Sequence, residues 1–357
     1  MRLKIETLNL MPYLDANSEM GNICRILIVG SGGIGRRHFD IAKNLFPKAE
    51  IGILSRTKSR VEFGAGAYYF NNLNDALEFS PQISVVANPA PFHIDTADKL
   101  ARSGSHLLVE KPLTDTYDVQ KSHSLFKSCK AHNCVLLIGY NLRFLKSLQY
   151  FRDHILNNFI GQVLSFRCES GQFLPLWRPN IDYWSSVTAN KNLGGGVLLE
   201  LSHEIDYVRW IFGEPYWVNA TISKQSNLKM DVEDVAHITV GCNSWGDGSK
   251  LIGTINLDCI RRDRVRNCIT IGDKGSLRWD GLVGKVEYFD ACNQIWREIF
   301  SVEDDLNKSY LAEWLHFINC INNKASPLIT GDDGLLVMQI IDAVRHSSFS
   351  GEKVFIN

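Results

Sequence analysis

Ile23-Cys24-Arg25-Ile26-Leu27-Ile28-Val29 runs directly into Gly30-Ser31-Gly32-Gly33-Ile34-Gly35. A short apolar run that ends in G-x-G-x-x-G and continues as a helix reads as the opening strand, turn and helix of a dinucleotide-binding unit. Gly30 permits the tight turn, Gly32 lets backbone approach a pyrophosphate, and Gly35 lets helix and strand pack closely. The helix N-terminus that follows offers free N–H groups to the anion, with Gly33 and Ile34 inside the same turn. A glycine-rich turn alone is weak evidence. Its place at the head of a repeating strand–helix series gives it weight.

That series continues outward from the turn. Strand-like runs lie at 23–29, 50–54, 83–87, 106–109 and 134–139, with helical stretches at 35–45, 73–79, 92–102 and 115–131 between them. The alternation predicts parallel strands with helical crossovers, a doubly wound α/β sheet over residues 23–141. Residues 1–22 precede it as an N-terminal extension.

Beyond Tyr140 the rhythm changes. A helix near 144–156 leads to a strand at 162–169, an irregular Pro/Trp-rich stretch at 173–192 and a helix at 202–212. Strands then follow at 217–224, 235–242, 250–257, 266–271, 276–279, 286–289 and 295–300, with Gly272-Asp273-Lys274-Gly275 as a hairpin turn. Strands in succession without helical crossovers predict an antiparallel sheet, so residues 142–357 are expected to form an α+β domain. Helices near 309–322 and 332–347 close it.

Composition narrows the function classes. The 357 residues are 45% hydrophobic and 22% charged, and 38 basic side chains nearly cancel 39 acidic ones. That balance argues against a nucleic-acid binder. No apolar run approaches the ~20 residues of a membrane span. Nine dispersed cysteines without a C-x-x-C pair predict buried thiols in a reducing, cytoplasmic setting, and no metal site is expected.

The second strand ends at Leu54-Ser55-Arg56-Thr57-Lys58. An NAD-selective site places a carboxylate here, on the ribose hydroxyls. With none present, Ser55 and Arg56 are expected at a 2′-phosphate, which favours NADP, with NAD as the alternative.

Further motifs sharpen the reading. They are Val85-Val86-Ala87-Asn88-Pro89-Ala90-Pro91-Phe92-His93, then His106-Leu107-Leu108-Val109-Glu110-Lys111-Pro112-Leu113, Gly139-Tyr140-Asn141-Leu142-Arg143-Phe144, and Gly194-Gly195-Gly196 followed by Val197-Leu198-Leu199-Glu200-Leu201-Ser202-His203-Glu204-Ile205-Asp206. With the glycine turn, they resemble the Gfo/Idh/MocA oxidoreductase family from about Ile23 to the C-terminus. The resemblance implies an N-terminal Rossmann domain and a C-terminal domain with a large, mostly antiparallel sheet that commonly mediates oligomerisation, so a homodimer or homotetramer is expected. It also implies an active site between the domains and a hydride exchanged between nicotinamide and a sugar or polyol carbon. Lys111 matches the family's catalytic lysine and His203 its catalytic histidine.

The chemistry supports both positions independently. Hydride departure from a carbinol carbon requires the hydroxyl proton to leave as the carbonyl forms. Histidine titrates near neutrality and suits that role. A lysine at the end of a parallel strand faces the ligand crevice and can stabilise developing negative charge. The roles can be exchanged without contradicting the sequence. Glu200 stands three residues before His203, whereas the family places an aspartate four before, where this chain has Leu199. On one helix, three residues apart share a face, so Glu200 is a candidate for the same pocket. Asn88, Pro89, His93 and Glu110 are candidates at the cofactor, with helix capping or packing the alternative for His93 and a local salt bridge or carboxylate that orients Lys111 the alternative for Glu110.

On the substrate side, Trp177 and Arg178 lie in a stretch, residues 172–184, that resembles a sugar-binding loop, and Arg143 is a further candidate at the domain junction. The run Arg261-Arg262-Asp263-Arg264-Val265-Arg266 reads most economically as a solvated sheet edge or subunit contact, with a phosphate contact as the sharper alternative. The expected activity is a dehydrogenase or reductase for a sugar, sugar acid or nucleotide sugar. The alternatives are a glycosidase of the same fold that retains NAD, and a non-catalytic dinucleotide sensor.

Overall fold

The structure is a computed structural model, which describes residues 23–55, 63, 66–178, 182–244, 248, 250–303 and 306–356. The N-terminal extension, Arg56-Thr57-Lys58 of the strand tip, and residues 179–181 of the aromatic loop lie outside the described residues.

Six parallel strands, β1 (Arg25–Val29), β2 (Glu50–Leu54), β3 (Ala67–Phe70), β4 (Ile83–Val86), β5 (His106–Glu110) and β6 (Leu136–Gly139), form a sheet in the order β3-β2-β1-β4-β5-β6. The helices α1 (Gly33–Leu45), α2 (Leu73–Glu78), α3 (His93–Arg102) and α4 (Val119–Ala131) connect them. Ile26, Leu27, Ile28, Val85 and Val86 are fully buried, as central parallel strands covered on both faces require. The order reverses between β1 and β4, and ligand crevices open at such a switch point, beyond the carboxyl ends of the strands. β3 was not expected. It is a four-residue edge strand, Ala67-Tyr68-Tyr69-Phe70, whose Tyr68 and Tyr69 are half exposed.

The second sheet is mostly antiparallel and has nine strands: β7 (Val163–Gly171), β8 (Pro215–Ser223), β9 (Val235–Asn243), β10 (Lys250–Asp258), β11 (Val265–Gly272), β12 (Gly275–Asp280), β13 (Lys285–Asp290), β14 (Ile295–Ser301) and β15 (Val354–Phe355). Its order is β14-β13-β12-β11-β7-β10-β9-β8-β15. β7 and β10 run parallel within it, in keeping with a sheet expected to be mostly antiparallel. The helices carried between β7 and β8 let β7 enter the middle of the sheet.

Helices α5 (Lys146–Leu156), α6 (Val197–Glu200) and α7 (Ser202–Phe212) pack on one face of this sheet, and the Phe212 ring stacks on Phe166 with centroids 4.1 Å apart. The last helices, α8 (Leu306–Ile321) and α9 (Gly331–Ser350), return to the first domain. The Ile138 N–H of β6 donates to the Ile329 carbonyl at 3.1 Å. Trp314 of α8 is fully buried beside Phe46 of the segment after α1. Burying an indole of this size contributes about 1.5–3 kcal/mol, so the two sheets are clamped by apolar packing as well as by the chain.

Candidate active site

The glycine turn forms a cradle. Gly30 holds φ +110°, and a Cβ there would lie 2.5 Å from the Ala87 carbonyl oxygen. Gly35 packs against the Gly30 backbone too closely to admit any side chain. Around Gly32 and Gly33 the reverse holds: a Cβ meets nothing within 4 Å and would enter a cavity of about 690 Å³. α1 starts at Gly33, two residues earlier than the pattern predicted, so the amides of Gly33, Ile34 and Gly35 make its first turn. The first helical bond is Arg36 N–H to Gly32 carbonyl, at 2.9 Å. The Ser31 and Ser55 hydroxyls meet at 2.8 Å beside it. This geometry fits a dinucleotide pyrophosphate.

Asn88 and Pro89 line the same cavity, and the Asn88 Oδ1 is buried without a partner among the described residues. Both polar atoms of His93 are committed elsewhere. Nδ1 is 2.9 Å from the Pro112 carbonyl and Nε2 is 2.6 Å from the Asn88 carbonyl. His93 therefore ties the end of β4 to the turn after β5, the packing alternative for this residue, and it also lines the cavity.

Glu110 uses both carboxylate oxygens within the protein. The Trp314 indole N–H donates to His38 Nδ1 at 2.9 Å, which leaves the His38 proton on Nε2 to donate to Glu110 Oε1 at 2.7 Å. Glu110 Oε2 accepts the Lys111 main-chain N–H at 3.2 Å. A chain of hydrogen bonds from α8 thus fixes the backbone that carries Lys111. His38 and Trp314 are absent from the sequence-level candidates because no local pattern distinguishes them from core residues.

Lys111 and His203 line one cavity. The Lys111 ammonium donates to the main-chain carbonyl of Glu200 at 2.6 Å. His203 is 8% exposed and stands edge-on to Tyr140, with ring centroids 5.6 Å apart. Burial, then the nearby charges of Lys111 and Arg266, push its pKa well below the ordinary histidine value. The imidazole is therefore neutral at pH 7 and able to accept a proton.

Glu200 and His203 do not share a helix. α6 ends at Glu200, Leu201 takes φ −100° and ψ 29°, and α7 starts at Ser202. The face-sharing expectation fails on that break. Glu200 still lines the cavity, with Oε2 accepting from Thr188 Oγ1 at 3.1 Å.

Arg143 is corrected outright as a substrate-binding candidate. It is 3% exposed and grips Asp206 through two bonds, at 2.6 and 2.9 Å, with Asp333 at 3.3 Å. Burial opposes its charge, and the two carboxylates more than restore it. Its guanidinium joins the segments carrying β6, α7 and α9, and Asp206 is its partner.

Trp177 and Arg178 line the far wall of the cavity with Gln172 and Thr188. Arg264 and Arg266 also line it, which corrects the reading of that run as a sheet edge alone. Arg266 donates to the fully buried Glu204 at 2.8 Å. Among the described residues no group of three His, Cys, Asp or Glu side chains could hold a metal ion, and no helix is long and apolar enough to cross a membrane.

Two family models match the chain. Residues 24–140 match the oxidoreductase family's NAD-binding Rossmann fold, and residues 152–356 match its C-terminal alpha/beta domain, both of the Gfo/Idh/MocA family. A levoglucosan dehydrogenase of Pseudarthrobacter phenanthrenivorans is 32% identical over 214 residues, 58% of this chain and 49% of that protein. The D-glucoside 3-dehydrogenase of Escherichia coli is 21% identical over 301 residues, 78% of this chain and 80% of that protein. The matched region spans about half the length of several such relatives. Among solved structures, levoglucosan dehydrogenase in complex with NADH and levoglucosan has a TM-score of 0.79 at 20% identity, covering 93% of this chain and 99% of that one. The WlbA dehydrogenase of Bordetella pertussis, in complex with NADH and UDP-GlcNAcA, has a TM-score of 0.77 at 20% identity over 94% and 99% of the two chains.

Proposed function

We propose, for a chain that belongs to the Gfo/Idh/MocA oxidoreductase family, the nicotinamide-dependent oxidation or reduction of a hydroxyl-bearing carbon in a sugar, sugar acid or nucleotide sugar. The observation that carries this reading is the meeting of Lys111 from one domain and a neutral His203 from the other in a cavity that starts at the glycine turn. The sugar dehydrogenases among the relatives support the substrate class.

The nicotinamide, when bound, supplies the hydride acceptor or donor. Gly32, Gly33 and the first amides of α1 hold the pyrophosphate, and Asn88 offers its buried Oδ1 as an acceptor for a ribose hydroxyl of the dinucleotide. In oxidation His203 takes the hydroxyl proton. Lys111, held by the Glu200 carbonyl, orients the oxygen and stabilises its developing negative charge. In reduction the same two groups work in reverse.

Preference for NADP follows from the strand tip, where Ser55-Arg56-Thr57-Lys58 offers no carboxylate. Assembly as a homodimer or homotetramer fits Ile252, which is 54% exposed on the large sheet. A cytoplasmic setting fits the free cysteines.

The test is a screen of sugars, sugar acids, polyols and nucleotide sugars with NAD and NADP, following the absorbance of the reduced nicotinamide. Stoichiometric reduction with at least one carbohydrate is expected. A glycoside cleaved with no net change in cofactor would replace the reading with the glycosidase one, and cofactor binding without turnover of any carbohydrate would leave a sensor.

A further inference from the structure

The wall contributed by the second domain carries more positive charge than proton and hydride transfer require. β11 runs beside β7, with Val265 opposite Gly171 and Arg266 opposite Ser170. Residues two apart on a strand share a face and lie about 6.8 Å apart. Cys268 is buried on one face of β11, Arg266 stands two residues before it on that face and donates to Glu204 of α7, and Arg264, which directly precedes the strand, lines the same cavity.

The arginines of this run have different partners. Arg261 pairs with Glu169 at 2.6 Å and Asp263 at 3.0 Å. Arg262 lies over the Phe173 ring at 3.6 Å, and Arg266 is neutralised by Glu204. Arg264 has no carboxylate partner among the described residues, and partial burial and the like charge of Arg266 both oppose its ionised form. Across the cavity, Arg178 follows a turn (Leu174–Leu176) that is pinned where the Trp177 indole donates to the Gln172 carbonyl at 2.7 Å. The two carboxylates lining the cavity are engaged elsewhere, Glu110 with His38 and Glu200 with Thr188.

We propose that Arg264, together with Arg178, forms an anion subsite for a carboxylate or phosphoryl group that the substrate carries away from the carbon being oxidised. The two guanidiniums supply paired N–H donors suited to an oxyanion, and a cleft lined by one sign of charge concentrates ligands of the other. The substrate is then a sugar acid, a sugar phosphate or a nucleotide sugar, and a neutral sugar binds more weakly. The inference rests on the dehydrogenase reading for its orientation, but its test measures binding alone.

Calorimetric titration of the dinucleotide-loaded protein with D-glucose, D-glucuronate, D-glucose 6-phosphate and UDP-glucose separates the carboxylate, phosphomonoester and diphosphate forms of the anion. At least one anionic probe is expected to bind about tenfold or more tightly than glucose, with an advantage that shrinks as ionic strength rises. Arg264→Gln should remove most of that advantage, Arg264→Lys should restore part of it, and Arg262→Gln should retain it. Equal binding of all four probes would overturn the subsite, as would an anion advantage that survives Arg264→Gln and Arg178→Gln together. If anions bind as expected and no carbohydrate reduces nicotinamide, the dehydrogenase reading fails while the subsite stands. Oxidation of neutral sugars without anion preference gives the opposite result.

Discussion

The Lys111 ammonium, at the end of a parallel strand in the first domain, donates to the main-chain carbonyl of Glu200 in the second at 2.6 Å. Glu200 closes the short helix that precedes the one bearing His203. One hydrogen bond therefore sets the spacing between the cation and the imidazole, and it uses a carbonyl that no side-chain substitution at Glu200 removes. The interdomain crevice is held by its own candidate catalytic groups.

Replacing Lys111 tests that arrangement directly. Lys111→Ala should lower kcat by about a hundredfold or more, the range expected when a group that stabilises or transfers charge in the transition state is lost. Dinucleotide affinity and thermal unfolding should change far less. Glu200→Gln, which keeps the carbonyl, should retain much more activity than Lys111→Ala. Steady-state kinetics with fluorescence titration of the reduced cofactor reads both, and normal turnover by Lys111→Ala would remove the mechanism.

The protonation state of His203 sets the pH profile. Its pKa lies well below 6.5 because the ring is buried and faces the charges of Lys111 and Arg266. A base must be neutral to accept a proton, so kcat/KM for oxidation should stay level as pH falls through 6.5 and decline only at more acid values. Lys111→Met removes a positive charge that disfavours the imidazolium, so it should move the acid limb of the residual activity upward. An acid limb centred at or above 6.5 in the unmodified enzyme would show that another group accepts the proton.

Cofactor choice is the prediction that stays closest to sequence. Arg56→Ala should weaken NADP about tenfold more than NAD, since it deletes a guanidinium expected to pair with a 2′-phosphate that NAD lacks. Kd values for both dinucleotides by intrinsic fluorescence decide it. Equal weakening of the two would defeat the NADP assignment.

What was legible in the sequence follows from how local each signal is. The glycine turn, the strand–helix alternation and the helix at 202–212 are written in contiguous residues, and they appear in the structure at or near the expected positions. β3 was missed because a run of only four residues, Ala67-Tyr68-Tyr69-Phe70, is too short for its period to stand out, although its aromatic content was a strand signal. The start of the helix at Ser202 was legible, but the separate short helix Val197–Glu200 that carries Glu200 was not, because four apolar-rich residues are too few to show a helical period. Arg143 looked like a site residue by its place at the domain junction, and only tertiary structure brings Asp206 and Asp333 to it. The chain from Trp314 through His38 to Glu110 joins residues up to 276 apart, beyond the reach of any spacing argument.

Glu313, beside Trp314 on the same helix, gives a prediction about stability. It is fully buried, neither carboxylate oxygen has a partner among the described residues, and burial followed by the charge of Glu110 raises its pKa well above 4.5. Below pH 4.5 the carboxyl is protonated in both folded and unfolded chains, so it contributes no pH dependence. As pH rises from 4.5 toward the folded value, the unfolded chain ionises and the folded one does not, and stability falls by about 1.4 kcal/mol per pH unit. Glu313→Gln keeps the shape and is neutral in both states, so it abolishes this slope. The variant should therefore gain stability over the unmodified protein progressively as pH rises above 4.5, read as a widening gap in urea midpoints. A gap that stays constant as pH rises from 4.5 would mean that Glu313 ionises in the folded protein with little penalty, against its burial beside the charge of Glu110.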